Sequence, residues 1–537
     1  MDGAARAFLR EVEDELRPLT IAVSLAHWKA STTGTEASLR EATERETRLR
    51  KFLSSGARLE KITELLTADR VDDALERRQL ELLALEHRAN RLPEPVIDDL
   101  VQRSNAIQAE FYNFRGRLEG REVTNNEILE VLRGERRLPL RRSAWEASKQ
   151  IAPRVAGPLL ELVERRNAAA RSLGYRDYYA MHLELQEIDE PELFGVFGDL
   201  RDATEAPFRA AKRAIDERLA ARYGIVPDEL RPWHYEDPFF QEVPLSDELG
   251  ITPLFRGRDL PEIAAVYFEG IGLPIRDVLE RSDLYERPGK DQHAYCTDID
   301  REGDIRLLCN VRDDAHWMGV LLHELGHAAY DKFIPRSLPW LLREYAHIAT
   351  TEAIAMFMGR LIRDVDWLEG ATGSRLADRE DLARQTVAAS RFGQLLTARW
   401  VLVMTYFERA LYADPRRADL SSYWWDLVEE LQLLPRPEGR DAPDWAAKIH
   451  LAVAPVYYHN YLLGELIASQ IGAAARREIG PELPPGFVGC QQLGTFLRER
   501  IFAHGASLHW QTLLERASGS RLSPQAFLDE FVVDRQT

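Results

Sequence analysis

The sequence predicts a mainly α-helical protein with one small β-hairpin, and three observations indicate this class. Apolar residues recur every three or four positions over most of the chain, which is the period of an amphipathic helix. Segments with the two-residue period of a strand are scarce. No fixed-period repeat or low-complexity segment, which would indicate a solenoid or a disordered region, is visible in the chain.

Eight segments show the helical pattern, and we expect a helix in each. They are residues 10–16, 43–66, 71–88, 96–117, 144–172, 261–272, 375–432 and 459–477. Two other stretches are expected to be irregular. Residues 231–260 are rich in proline and aromatic residues, and residues 433–445 combine proline, glycine and charged residues.

A β-hairpin is expected directly before the segment with the strongest chemical signal. Residues 293–299 and 304–311 flank the turn signal R-E-G at 301–303. The free edge of such a hairpin could hold an extended peptide by main-chain hydrogen bonds. The alternative is a hairpin with a purely structural role, and the sequence supports both.

The segment LLHELGHAAY, at residues 321–330, contains His323, Glu324 and His327 in the order H-E-x-x-H. Residues four apart share one face of a helix, so the two imidazoles can bind one metal ion. Glu324 would lie beside the metal and take a proton from a water molecule there. The flanking residues are apolar, which favours a buried helix, and the small Gly326 would let another backbone approach. The alternative is a pair of core or surface histidines with a solvated glutamate.

A third ligand is available in the helix-like segment 344–362. Glu352 lies there among small and apolar residues, where an unpaired charge is costly, so it should be paired or bound to metal. Two histidines and one glutamate, with a fourth position open to water, make a catalytic zinc site. We therefore expect one Zn²⁺ per chain. The alternatives are a salt bridge from Glu352 to Arg343 or Arg360, and His347 as a competing ligand.

A second cluster of chemical groups lies at residues 448–466, in KIHLAVAPVYYHNYLLGEL. Its polar and aromatic members are Lys448, His450, Tyr457, Tyr458, His459 and Tyr461. Buried tyrosines and histidines usually complete a hydrogen-bonded core. Next to a zinc site, however, phenol and imidazole groups would bind the oxyanion of a tetrahedral intermediate.

The composition argues against several classes of partner and location. The net charge of −18 disfavours nucleic acid and anionic membranes as partners. No run of about 20 apolar residues exists, so no membrane span is expected, and the N-terminal sequence has no apolar signal core. The three cysteines are too few for a disulfide scaffold and favour a reducing compartment, so we expect the cytoplasm. The oligomeric state is not indicated.

These motifs together resemble those of the helical gluzincin zinc metallopeptidases, the group of angiotensin-converting enzyme, thimet oligopeptidase and oligoendopeptidase F. HELGH at 323–327 and TEAIA at 351–355 match the metal motifs of the group. AHWKASTTGTEAS at 26–38 and the segment at 144–180 resemble the N-terminal part of the angiotensin-converting-enzyme family. The resemblance covers most of the chain.

The resemblance implies a single helical metallopeptidase domain over residues 1–537, folded as two lobes around a deep central cleft. Residues 1–130 would form a helical lid or wall that limits entry to short peptides. Residues 290–365 would form the metal-binding core, with the small β-hairpin beside the metal helix. Residues 440–475 would contain the helix that binds the oxyanion and the substrate.

The resemblance also assigns roles to individual residues of the metal centre. His323, His327 and Glu352 would ligate zinc, and Glu324 would be the general base. A histidine ligand normally has a hydrogen-bond partner behind it, which Glu344 or Asp331 would supply. In the relatives a disulfide closes just before the metal helix, and the pair Cys296 and Cys309 resembles it.

The substrate-binding roles fall on the second cluster. Tyr461 would stabilise the oxyanion, His450 and Tyr458 would bind the substrate backbone or its carboxylate, and Lys448 would pair with a substrate C-terminus. The expected substrates are short peptides, cleaved internally or by release of C-terminal dipeptides. The alternatives are a zinc amide hydrolase for a specialised small molecule or modified peptide, and a catalytically silent peptide-binding protein of the same fold.

The sequence also departs from the pattern of these relatives. Thr297 and Asp298 replace the His-Ala pair of the dipeptidase branch, and Asn460 replaces the arginine that belongs to the chloride site of the animal enzymes. Met356 occupies a position where some relatives have an acidic residue. No residue near 233–236 matches the glutamine that helps to clamp a free C-terminus. The mode of cleavage therefore stays open.

Overall fold

The structure is a computed structural model that describes residues 3–67, 71–244 and 250–533. It is mainly α-helical, and the strands in these ranges form two short antiparallel hairpins. Both the predicted fold class and the predicted hairpin beside the metal helix are confirmed. Within the described residues, no helix is long and apolar enough to cross a membrane.

Each of the eight predicted segments is occupied for the most part by one or more α-helices. In chain order they are α1 Ala4–Thr33, α2 Glu36–Leu53, α3 Gly56–Thr67, α4 Ala74–Ala89, α5 Glu94–Asn113, α6 Asn125–Gly134, α7 Leu138–Lys149, α8 Ala152–Ser172, α9 Tyr178–Leu185, α10 Glu190–Tyr223, α11 Leu260–Gly270, α12 Arg276–Arg281, α13 Ala315–Phe333, α14 Ile348–Gly359, α15 Val365–Thr372, α16 Arg379–Ala413, α17 Leu420–Gln432, α18 His450–Val453, α19 His459–Ile479, α20 Gln491–Arg500, α21 Trp510–Ser518 and α22 Gln525–Phe531. The strands are β1 Gly116–Leu118, β2 Arg121–Val123, β3 Tyr295–Asp298 and β4 Ile305–Leu308.

Local sequence explains where these elements differ from the predictions. The segment 43–66 is divided between α2 and α3. The segment 96–117 was expected to be helical throughout, but α5 ends at Asn113 and β1 follows it. Glu119 and Gly120 have φ angles of 49° and 85°, the left-handed conformations that a two-residue hairpin turn requires at both positions. This turn pairs Leu118 with Arg121 and starts an unpredicted hairpin.

The chain divides into two compact units. The first contains residues 1–91, 249–387 and 463–527, and the second contains residues 92–248, 388–462 and 528–537. The predicted lid or wall at 1–130 is thus shared between them. The single catalytic domain and the central cleft expected from the resemblance stay predictions.

The segment 231–260 is largely irregular, as expected. Residues 231–244 and 250–259 contain no helix longer than one 3-10 turn, and residues 245–249 lie outside the described ranges.

The hairpin of the first unit corrects the disulfide that the resemblance implied. Strands β3 and β4 are antiparallel, with Cys296 opposite Leu307, and all three cysteines are free thiols. Cys309 lies two residues beyond Leu307 and is therefore diagonal to Cys296. Diagonal Cα atoms in an antiparallel pair are about 7–8 Å apart. A disulfide needs Cα atoms about 4.4–6.8 Å apart, so this register does not favour the bond.

Helix α13, which carries the H-E-x-x-H motif, is capped at its N-terminus by Asp314, whose carboxylate accepts the Trp317 N–H at 2.8 Å. It packs closely against α14 because Gly326 has no side chain. A Cβ atom at this position would lie 2.7 Å from Ala355 Cα and 3.0 Å from Ala355 N. The close backbone approach that the sequence suggested is therefore confirmed, and it brings the two helices that carry His323, His327 and Glu352 together.

Gly326→Ala should push α13 and α14 apart and destabilise the protein by roughly 1–3 kcal/mol, the usual cost of overpacking. It should also weaken zinc binding. Gly319→Ala, on the same helix, is the matched control because its Cβ would meet Ile362 at an ordinary 3.6 Å. The control should be neutral or slightly stabilising. Thermal melting and zinc content check both variants; equal behaviour would contradict the proposed role of Gly326.

Candidate functional site

His323, His327 and Glu352 form a compact group at the contact between α13 and α14. Their ligand atoms all lie within 4.8 Å of one another. The Glu352 Oε2 atom is 3.6 Å from His323 Nε2 and 3.9 Å from His327 Nε2. Zinc bonds of about 2.0–2.1 Å in a tetrahedral site place neighbouring ligand atoms about 3.4 Å apart. The donor set and its spacing therefore fit a zinc ion with one position left for another ligand.

The protonation state of both histidines suits metal binding. Burial lowers the pKa of His323 to about 4 and the pKa of His327 to about 3. Both imidazoles are therefore neutral at pH 7, and their Nε2 lone pairs are available to a cation. No other group of three His, Cys, Asp or Glu residues in the described ranges has the spacing of a metal site.

A hydroxyl group holds the second histidine from behind. His327 Nδ1 is 2.7 Å from Thr351 Oγ1, so the nitrogen that faces away from the metal position has a partner. The expectation that Glu344 or Asp331 would fill this role is wrong for His327. Glu344 instead forms an ion pair with Arg301 at 2.7 Å. No local pattern identifies Thr351, because it meets His327 only through the packing of α14 against α13.

The alternatives for this group are not supported by the structure. Arg343 binds Glu302 at 2.6 Å, and Arg360 binds Glu465 at 3.0 Å, so both arginines pair with other carboxylates. His347 begins α14, and its Nδ1 accepts the Ala349 N–H at 3.0 Å. It is therefore a helix cap and lies outside the metal group. Met356 packs near Gly464, where a Cβ would meet its sulfur atom at 2.9 Å.

Glu324 is buried beside the metal group, and the backbone N–H of Cys296 in β3 lies near its carboxylate. Burial and the nearby Glu352 carboxylate raise the pKa of Glu324 to about 8, and the Cys296 N–H opposes this rise. A divalent cation would lower the pKa again. The carboxyl group is thus in a place where a proton can be exchanged, as a general base requires.

The second predicted cluster lies in the second unit, and the structure brings its members together. The His450 and Tyr458 ring centroids are 5.1 Å apart, and those of Tyr458 and Tyr461 are 5.4 Å apart. Burial lowers the pKa of His450 to about 4, so its ring is neutral. Its buried Nδ1 atom has no hydrogen-bond partner among the described residues, which leaves it available to a bound molecule.

Lys448 of this cluster has a partner that the sequence did not reveal. Its Nζ atom donates a hydrogen bond of 2.8 Å to Gln241 Oε1. The same atom lies 5.1–5.6 Å from the centroids of three aromatic rings, those of Phe239, Trp400 and Tyr458. Burial lowers the pKa of Lys448 to about 8, and Asp237 and Glu242 oppose this shift. Gln241 and Lys448 are 207 residues apart, so no local pattern indicated the pair.

Buried polar groups hold the segment before Tyr458 in a strained conformation. Val456 has a φ of 54°, which is unfavourable for a β-branched residue. Its N–H donates to Glu408 at 2.8 Å, and its carbonyl accepts from Gln186 at 3.2 Å. The same Gln186 accepts a hydrogen bond of 2.8 Å from Asn460. The arginine position in the relatives is thus occupied by an amide that fixes the start of α19.

Two family profiles match different parts of the chain. The profile described as Peptidase family M3 matches residues 280–533, and the profile described as Angiotensin-converting enzyme matches residues 2–198. The helical fold and the group of two histidines and one glutamate agree with both profiles. The resemblance to the gluzincin metallopeptidases seen in the sequence is therefore confirmed.

Two curated relatives are similar to parts of the chain. Thermostable carboxypeptidase 1 of Thermus thermophilus is 28% identical over 259 residues, which are 42% of this chain and 48% of that protein. The Angiotensin-converting enzyme-related protein of Drosophila melanogaster is 24% identical over 318 residues, 55% of this chain and 49% of that protein. The matched regions thus span about half the length of each relative.

Thr351→Val should weaken zinc binding about 10- to 100-fold, because the variant removes the hydroxyl that holds His327. Thr351→Ser keeps the hydroxyl and is the matched control, with an affinity close to that of the wild type. Competition with a chelator of known affinity measures both. Unchanged zinc affinity in the valine variant would show that the hydrogen bond does not position the ligand.

Proposed function

We propose that the chain is a zinc-dependent metallopeptidase that hydrolyses short peptides and holds one zinc ion per chain. The observation that supports this most strongly is the convergence of His323, His327 and Glu352 beside the buried Glu324. The bound zinc would supply Lewis acidity, which polarises a carbonyl group and lowers the pKa of water. The cytoplasmic location expected from the cysteine content stays a prediction.

Glu324 has the central catalytic role in this proposal. Its carboxylate takes a proton from the attacking water and later gives a proton to the leaving amine. The nearby Cys296 N–H favours the charged form of the carboxylate, which is the form that accepts the first proton. For the tetrahedral oxyanion, the resemblance assigns Tyr461 as the hydrogen-bond donor, and His450 and Tyr458 as groups that bind the substrate backbone.

The contacts of Lys448 support recognition of a free C-terminus. An ammonium group and an amide side chain, held together at 2.8 Å, are suitable donors for a carboxylate. Gln241 thereby provides the glutamine that the sequence comparison lacked. The printed name of the Thermus relative, a carboxypeptidase, also agrees with cleavage near a C-terminus. We therefore favour release of short C-terminal fragments over internal cleavage.

Glu324→Gln should keep the zinc content of the wild type and lower kcat about 100- to 10,000-fold, the range of a lost general base. Metal analysis and turnover of a mixed peptide pool, followed by mass spectrometry, measure the two effects. Glu302→Gln changes an exposed carboxylate in the hairpin turn and serves as the control. A Glu324→Gln protein with wild-type turnover would exclude the general-base role.

Lys448→Gln should raise KM about 10- to 100-fold for a peptide with a free C-terminus, because a hydrogen bond to a charged group is lost. KM for the same peptide with an amidated C-terminus should not change. In the wild type, affinity for the free acid should fall between pH 7 and 9, because Lys448 with its pKa of about 8 loses its charge. Equal effects on both peptides would contradict the carboxylate role.

A further inference from the structure

Arg141 of α7, in the second unit, has a buried guanidinium group that no carboxylate neutralises. Its hydrogen bonds go to backbone carbonyl groups, that of Trp233 at 2.8 Å and those of Glu135 and Tyr235 at 3.0 Å. It forms no ion pair with any of the described residues. A buried charge without a counterion is costly, so the surroundings of Arg141 favour the binding of an anion.

Three further hydrogen-bond donors near Arg141 lack an acceptor. The Arg141 guanidinium lies 4.6 Å from the centroid of the Tyr223 ring, and the ring centroids of Tyr223 and His234 are 5.6 Å apart. The Tyr223 hydroxyl, His234 Nε2 and Arg222 Nε atoms are buried and have no hydrogen-bond partner among the described residues. Buried polar atoms are nearly always paired, so three unpaired ones in neighbouring side chains indicate a missing ligand.

The Nε2 atom of His234 is a donor because of the state of the ring. The side chain is buried, at 3% exposure, and its Nδ1 atom accepts the Arg231 N–H at 2.7 Å. Burial, together with the charge of Arg141, lowers the pKa of His234 to about 4. The ring is therefore neutral at pH 7 and carries its proton on Nε2. All three unpaired groups can thus donate to an acceptor, whereas a water molecule must also place its own protons.

The electrostatic potential around these donors is positive. Burial raises the pKa of Tyr223, and the charges of Arg141 and Arg222 oppose this rise more strongly than Glu236 supports it. Glu236 is already paired with Arg222, at 3.3 Å. Tyr223 and Arg222 are partly exposed, so a small anion can reach the donors from solvent. Such a positive, donor-lined place attracts an anion.

We propose that these four side chains form a binding site for one tetrahedral oxyanion, such as phosphate or sulfate. The site lies between α7, the end of α10 and the 3-10 turn Pro232–His234. Neighbouring residues of a helix point about 100° apart, so the donors of Arg222 and Tyr223 approach from different sides. An oxyanion has oxygens on several sides and can accept from each of them, whereas chloride is a single atom. The site shares no residue with the candidate metal group or the second cluster, so it is independent of the proposed peptidase function.

The test follows thermal melting of the zinc-loaded wild type while sodium chloride is replaced by sodium sulfate at constant ionic strength. The melting temperature should rise with sulfate concentration, because a ligand that binds only the folded chain stabilises it. Sodium phosphate should have the same effect. Calorimetric titration with sulfate should give one anion per chain and a Kd that accounts for the rise.

Tyr223→Phe removes one donor and keeps the ring against Arg141. Its affinity for sulfate should fall about 10- to 100-fold, because a hydrogen bond to a charged group is lost. In chloride alone the variant should melt at or slightly above the temperature of the wild type, since an unpaired buried hydroxyl is removed. Tyr267→Phe is the matched control. The Tyr267 hydroxyl is also buried without a described partner, but it lies in the first unit near Asp364, and this variant should keep the sulfate response.

A second variant tests another donor without changing the charge. Arg222→Lys removes the Nε–H and keeps a cation opposite Glu236, and it should weaken sulfate binding about 10-fold. If Tyr223→Phe and Arg222→Lys both fold and bind sulfate as the wild type does, the proposal is overturned. A wild type whose melting temperature is the same in sulfate and chloride also overturns it. Lower stability of Tyr223→Phe in chloride would then assign the unpaired donors to internal water molecules.

Discussion

The metal centre depends on how closely two helix backbones approach each other. Gly326 lies against the Ala355 backbone, and even one added methyl group would come within 2.7 Å of it. This contact sets the separation of α13 and α14, which carry the two histidines and the glutamate. A change of about 1 Å in ligand position is enough to weaken a metal site, so the three candidate ligands depend on the absence of a side chain at Gly326.

The second cluster is positioned by different means. Its segment contains no long helix before α19, so regular backbone hydrogen bonds cannot fix it. Instead, Glu408, Gln186 and Arg166 donate to or accept from its backbone, and Arg166 contacts the Leu451 carbonyl at 3.0 Å. Of these groups, Glu408 and Gln186 bind the strained Val456 itself. Strain that is maintained by such contacts is typical of segments that hold functional side chains.

The sequence allowed the fold class, the hairpin and the residues of the candidate metal group to be predicted, because each has a local period or spacing. It did not reveal Gln241 or Thr351 as partners. Gln241 meets Lys448 only through tertiary folding, and Thr351 faces His327 only once α13 and α14 pack together. The β1–β2 hairpin was missed because its strands are three residues long, too short for an alternating pattern to be recognised. Whether Cys296 and Cys309 pair could not be decided from the sequence, because the register of a hairpin decides which residues face each other, and spacing along the chain does not.

Burial has opposite consequences for the imidazoles and for Lys448, because their ordinary pKa values differ. Loss of water lowers the pKa of His323 to about 4, so this ligand stays neutral and free to bind a cation at pH 7. The same effect lowers the pKa of Lys448 only to about 8, since it starts near 10.5 and Asp237 and Glu242 oppose the shift. Lys448 therefore keeps most of its charge at pH 7. Desolvation thus leaves a neutral imidazole in the candidate metal group of one unit and a cationic ammonium group in the other.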